Sequence, residues 1–185
     1  MTIPRERLAA NLAQLRQEIA GRARLIAVTK THSAEAIRTL FELGVRDFGE
    51  NRVQELLEKD QELGDLAELR WHLIGPLQSN KINKLRPLKR LFAIHSVDSQ
   101  ELIVKLSQGP WATPELNIFL QVNTSGEAEK GGLESEAELS SCAQALRAAP
   151  APLRLRGLMT MGRIRTDNVA GEARRSFTAL RALKT

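Results

Sequence analysis

Six short apolar runs, each followed by a stretch of helical periodicity, predict an α/β protein built on a parallel sheet. The runs recur at spacings of about 20 to 40 residues, as βα units do. A second regularity selects a barrel over an open doubly wound sheet. Lys30, Asn51, His72, Ser96, Asn123 and Thr160 all fall at the carboxyl end of a predicted strand. A ring of polar residues at one mouth is what a barrel produces, whereas an open sheet gathers its ligands at one switch point. The expectation is a (β/α)8 barrel of the TIM type, with about six βα units in this chain and a helix ahead of them.

Residues 4–20 carry Leu8, Leu12, Leu15 and Ile19 at helical spacing among Arg, Glu and Gln. They predict an amphipathic helix that Gly21 would close. Residues 25–32 are an apolar run, partly β-branched, that ends abruptly in Lys30. The run reads as a strand buried on both faces. Ser33 is placed as N-cap of a helix over 34–43, which Gly44 ends. Val45 and Phe48 supply a weakly patterned second strand, Gly49 permits close backbone approach, and a helix covers 52–63. Residues 70–75 form the third strand, with Trp71 and Leu73 on one face and His72 and Ile74 on the other. Pro76 breaks it, and Ser79 or Asn80 starts a helix over 81–88. The fourth strand is 91–98, followed by a helix over 99–107 capped by Asp98 or Ser99. After a turn at 109–111 the fifth strand covers 116–123. The loop 125–132 is polar and glycine-rich, but it has neither P-loop nor dinucleotide-binding spacing. A helix over 134–148, a strand over 153–161 and a helix over 167–183 complete the pattern.

A chain of 185 residues with 42% hydrophobic and 26% charged residues is an ordinary soluble composition, sized for one domain with a sizeable core. The single cysteine, Cys142, excludes an internal disulfide. The polar, charged start at 1–7 does not read as a signal peptide, and no apolar run approaches a membrane span. The expectation is a cytoplasmic protein with no membrane association. The net charge of +5 is concentrated in residues 151–185, which hold eight Lys or Arg against two Asp or Glu. There is no tyrosine and no aromatic ladder beside this basic stretch, so base stacking, and nucleic acid as a partner, are not expected.

Lys30 is the residue on which chemistry is expected to turn. A partly desolvated lysine at a strand end has a lowered pKa and can attack a carbonyl compound as an amine. The plain alternative is a lysine that simply reaches water. Asn51 reads equally as a helix cap. His72 reads as a hydrogen-bonded core residue more readily than as a catalyst.

Four motifs carry a resemblance. Val28-Thr29-Lys30, Phe48-Gly49-Glu50-Asn51-Arg52-Val53-Gln54-Glu55, Trp71-His72-Leu73-Ile74-Gly75-Pro76-Leu77-Gln78-Ser79-Asn80-Lys81 and Gly157-Leu158-Met159-Thr160-Met161 follow one another here. In residues and order they resemble the pyridoxal phosphate homeostasis proteins, and the resemblance runs from the first helix to Thr185. It implies a barrel similar to the N-terminal domain of bacterial alanine racemase. It implies that Lys30 forms a Schiff base with pyridoxal 5′-phosphate, the cofactor being the electron sink. It implies that Asn51, His72 and Ser96 lie near the cofactor, with Thr160 of the fourth motif as a further contact. No metal ligand set is expected. The family continues with two more strands, bearing a Ser-Met-Gly-Met-Ser-like and an Arg-Ile-Gly-like segment that hold the cofactor phosphate. The sequence as given has neither. Residues 1–185 are therefore expected to be a single cofactor-binding barrel domain, C-terminally incomplete relative to the family.

The function the resemblance implies is intracellular homeostasis of pyridoxal phosphate, with the cofactor held and not used for turnover. An enzyme of the racemase type is the alternative. It needs a base on each face of a carbanion, and in that class the second base is a tyrosine from a separate domain. Here there is no tyrosine, and His72 is the only obvious substitute. A third reading is an interaction module with a vestigial site, whose protein partner the sequence does not identify.

Overall fold

The computed structural model describes residues 4–125, 127, 131–150, 152–162 and 167–183. Helix α1 (Arg5–Ile19) precedes an alternation of strands and helices. The strands are β1 (Ala27–Val28), β2 (Asp47–Glu50), β3 (Arg70–Leu73), β4 (Leu91–Val97), β5 (Leu116–Gln121) and β6 (Leu153–Met159). Between and after them lie α2 (Ala34–Glu42), α3 (Val53–Glu62), α4 (Ile82–Leu85), α5 (Gln100–Ser107), α6 (Glu136–Ala148) and α7 (Val169–Ala182). The six strands form one sheet in the order β1-β2-β3-β4-β5-β6, every pair parallel. This is the expected βα succession.

The two faces of the sheet differ in chemistry because alternate residues point to opposite sides. One face meets the helices. Phe48 and Trp71 pack edge to face at 6.4 Å, both fully buried, and the Trp71 indole N–H donates to Asp60 of α3 at 2.8 Å. Ile37, Leu56, Leu85, Ile103 and Leu146 bring the helix layer onto this face. The other face carries Asp47, His72, Phe92, His95, Asn117 and Phe119, a polar and aromatic interior. Aliphatic burial stabilises the helix side at about 25 cal/mol per Å². The opposite face must satisfy its polar groups by hydrogen bonding instead.

Several boundaries depart from expectation. The first strand contributes only Ala27–Val28 to the ladder, because β2 is its sole neighbour and pairs with just those two residues. The helix expected over 81–88 is a 3-10 turn, Ser79–Lys81, followed by the single turn of α4. Pro87 cannot donate to a longer helix. Ser99 caps α5 as expected, its hydroxyl accepting from the Leu102 N–H. Ser135 and Glu138 form a reciprocal capping box that starts α6 at Glu136, two residues later than expected.

Candidate functional site

Lys30 follows β1 at the carboxyl end of the sheet, and its side chain is exposed. It reaches water, as the plainer of the two readings of Lys30 has it, and is not partly desolvated. The amine makes no hydrogen bond or ion pair among the described residues. Its neighbours are held far more firmly. Thr29 is buried; its N–H donates to the Gly49 carbonyl at 3.0 Å and its hydroxyl to Glu50 Oε1 at 2.7 Å. Thr31 adopts φ +66°, unusual for a β-branched residue, and its N–H donates to Glu55 Oε1 at 2.7 Å.

Asn51 lies just past β2 and is half-buried, but it caps nothing: the N-cap position of α3 is Arg52, without a side-chain bond. What fixes Asn51 is Gly75. A Cβ on Gly75 would overlap the Asn51 carbonyl, so only glycine lets the turns after β2 and β3 meet. Ser96, buried near the end of β4, donates its hydroxyl to the Gly75 carbonyl at 2.6 Å. Thr160 directly follows β6, is buried, and shares a hydrogen bond of 2.8 Å with the Thr124 hydroxyl. Lys30, Asn51, Ser96 and Thr160 thus all stand on the carboxyl rim, with contacts bracing the turns from β2 to β4.

His72 is not on that rim. It lies within β3, paired with Gly49 of β2, and is 2% exposed. Both ring nitrogens are engaged, Nε2 with Asp47 at 3.0 Å and Nδ1 with His95 at 2.9 Å. The strand pattern gave its face correctly; its depth shows in the register, where His72 aligns with Gly49 of β2 and Ala93 of β4, below Asn51 and Ser96. Asp47 also accepts two bonds from Arg70, at 2.9 and 2.8 Å. Burial alone would raise the Asp47 carboxyl, but the bonds from His72 and Arg70 outweigh it and hold the group at about 2. His95 stacks on Phe119 at 4.4 Å; burial, with His72 beside it, lowers its pKa to about 4.

Sequence reasoning missed the charged group behind the rim. Lys59 of α3 is buried, and its ammonium donates to the Thr29 carbonyl at 2.9 Å, to Glu50 Oε1 at 2.8 Å and to Glu55 Oε1 at 2.8 Å. Glu50 is fully buried, and its second oxygen has no partner among the described residues. The available signal was Glu55 and Lys59 at i, i+4 on one helix face, which from sequence alone reads as an ordinary solvated pair. Of the glycine-rich loop 125–132, residues 126 and 128–130 lie outside the described residues. Among the described residues no group of His, Cys, Asp or Glu is arranged to hold a metal ion, and no helix is long and apolar enough to cross a membrane.

A family model for the N-terminal domain of alanine racemase matches residues 3–185. A Pseudomonas aeruginosa protein named pyridoxal phosphate homeostasis protein is 47% identical over 161 residues, which is 86% of this chain and 66% of that protein. The protein of that name from Escherichia coli K12 is 39% identical over 199 residues, 96% of this chain and 81% of the relative. The chain thus spans just under two thirds of the Pseudomonas relative's length. The solved structure of PipY from Synechococcus elongatus PCC7942 with PLP bound superimposes with TM-score 0.80 at 36% identity, covering 95% of this chain and 79% of PipY. Alanine racemase from E. faecalis superimposes with TM-score 0.77 at 16% identity, over 99% of this chain and 50% of the racemase, a likeness of fold.

Proposed function

The chain belongs to the alanine racemase N-terminal domain family, and on that footing we propose that it binds pyridoxal 5′-phosphate through Lys30 in intracellular pyridoxal phosphate homeostasis, without turnover. The observation that carries the reading is the Lys30 amine itself: exposed, free of any carboxylate among the described residues, and set on the rim between two fixed neighbours. The donor set suits the aldehyde end of the cofactor, which supplies an electrophilic carbon when bound. Lys30 provides the amine, with loss of one water. Asn51 and Thr160 present amide and hydroxyl groups on the same rim. The PLP-bound PipY structure and the names of the relatives support the same cofactor.

The absence of turnover is argued from His72. Racemisation needs a base on each face of a carbanion. The one evident substitute for a missing tyrosine is buried, with both nitrogens occupied by Asp47 and His95. The fold likeness to racemases does not supply that base. We read residues 1–185 as one cofactor-binding barrel unit acting in the cytoplasm.

The test is titration with pyridoxal phosphate, borohydride reduction and peptide mass mapping. The stable adduct is expected on Lys30. Exclusive labelling of Lys81 or Lys130, or no labelling, overturns the reading.

A further inference from the structure

Three consecutive residues follow β1, and among the described residues only the middle one makes no hydrogen bond or ion pair. Thr29 is held at its N–H, its hydroxyl and its carbonyl; Thr31 is held at its N–H in a left-handed conformation. Apart from the Gly49 bond, and a His32 N–H that also donates to the Thr29 carbonyl at 3.0 Å, these bonds end on one charged group, in which Glu50 and Lys59 are buried and Glu55 is half-buried. Glu50 Oε1 takes the Thr29 hydroxyl, Glu55 Oε1 takes the Thr31 N–H, and Lys59 joins both carboxylates to the Thr29 carbonyl. All three ammonium hydrogens of Lys59 are spent in this way.

Such a group is a poor device for stability alone. Removing an ion pair from water costs much of what its attraction returns, and apolar residues of similar volume often do as well. Here the bonds converge on two peptide units, those on either side of Lys30. A β-branched residue at positive φ persists only where its surroundings over-determine it. At Thr31 the acceptor on Glu55 does so together with the turn that the His32 N–H closes on the Thr29 carbonyl at 3.0 Å.

We propose that Lys59, with Glu50 and Glu55, is a positioning clamp that fixes the backbone on both sides of Lys30 and so sets the direction in which its amine is presented. The clamp rests on the reading that Lys30 holds the cofactor. It acts through Lys30 and does not touch the cofactor itself.

The test uses the 185-residue chain without cofactor first. Hydrogen exchange of the Thr31 amide and the rate of reductive methylation of Lys30, relative to Lys81, are measured in wild type, Lys59→Met, Glu55→Ala and Glu55→Gln. Glu55→Ala should speed Thr31 exchange roughly tenfold, the scale of one lost hydrogen bond. It should also change the Lys30 methylation rate relative to Lys81. Glu55→Gln keeps the acceptor oxygen and should restore both values toward wild type. The rate of pyridoxal phosphate capture at Lys30 should fall in Lys59→Met and Glu55→Ala and recover in Glu55→Gln. Glu55 is partly exposed, so its variants remain informative if Lys59→Met does not fold. Unchanged Thr31 exchange and Lys30 reactivity in folded Glu55→Ala overturn the clamp. Wild type that shows the clamp's exchange pattern but captures no cofactor overturns the proposed function and leaves the clamp standing.

Discussion

Gly75 lies so close to Asn51 that a Cβ on it would overlap the Asn51 carbonyl. Backbone atoms cannot give way as the end of a flexible side chain can. Gly75→Ala should therefore destabilise the protein by about 1 to 3 kcal/mol, the usual range for overpacking. It should also displace Asn51 and weaken cofactor capture. Urea denaturation of the two proteins reads the first effect, and a change below about 0.5 kcal/mol would contradict it.

Lys30→Ala should abolish the borohydride-stable cofactor adduct while leaving stability within about 0.5 kcal/mol of wild type, since Lys30 is exposed and unpaired among the described residues. Retention of a full equivalent of reducible cofactor would show that another amine does the work. A large loss of stability would show that Lys30 has a packing role the structure does not contain.

Racemisation of alanine should not exceed that of free pyridoxal phosphate. Deuterium exchange at the α-carbon, followed by NMR, is the measurement. Enzyme-dependent exchange abolished by Lys30→Ala would establish that a second base exists.

Acid should weaken the fold in two windows. His95 is lowered by burial, with His72 adding, to about 4 from 6.5. The unfolded chain therefore takes up this proton first, and stability falls as pH drops from 6.5 to about 4. Asp47 sits at about 2 against 3.8, because bonds from His72 and Arg70 overcome the effect of burial. Its contribution is complete above 3.8 and is lost as pH falls toward 2. His95→Phe keeps a ring against Phe119, removes the partner of His72 Nδ1, and should flatten the upper window. Identical melting profiles for the two proteins across that window would refute the assignment.

In the described sheet β1 and β6 each have one neighbour. An unpaired edge is a template for another chain. The 185-residue chain, prepared as such, should self-associate or melt below a version extended by two βα units taken from a longer relative. It should also bind pyridoxal phosphate more weakly, since loops after the seventh and eighth strands are the usual barrel position for phosphate. Sedimentation, thermal melting and cofactor titration of the two lengths make the comparison. Equal melting, equal affinity and a monomeric short form would show that the added units contribute nothing.

The βα alternation was legible because apolar runs and helical periodicity are local signals, and all six strands fall where those runs lie. Depth and partnership were not. His72 was assigned its face from alternation, yet how far it lies below the rim depends on the register of β3 against β2 and β4. Ser33 and Asn51 carry the right chemistry for caps, and neither makes a side-chain capping bond. Lys59 was invisible because a helical Glu–Lys pair looks the same whether it faces water or the end of a neighbouring strand. Lys30 was singled out from its position at the end of an apolar run. Its exposure matches the plainer reading of a lysine that reaches water, which the strand pattern alone could not separate from a partly desolvated one.

The strand order runs without a break from β1 to β6, so among the described residues each strand pairs only with its neighbours in sequence. Each described pairing therefore joins strands one βα unit apart, and none of them brings a late strand back to an early one. A chain leaving the ribosome amino end first can add one βα unit at a time. Thr29, Thr31, Glu50, Glu55 and Lys59 all precede the end of α3 at Glu62. The surroundings of Lys30 can thus be assembled while most of the barrel is still unsynthesised.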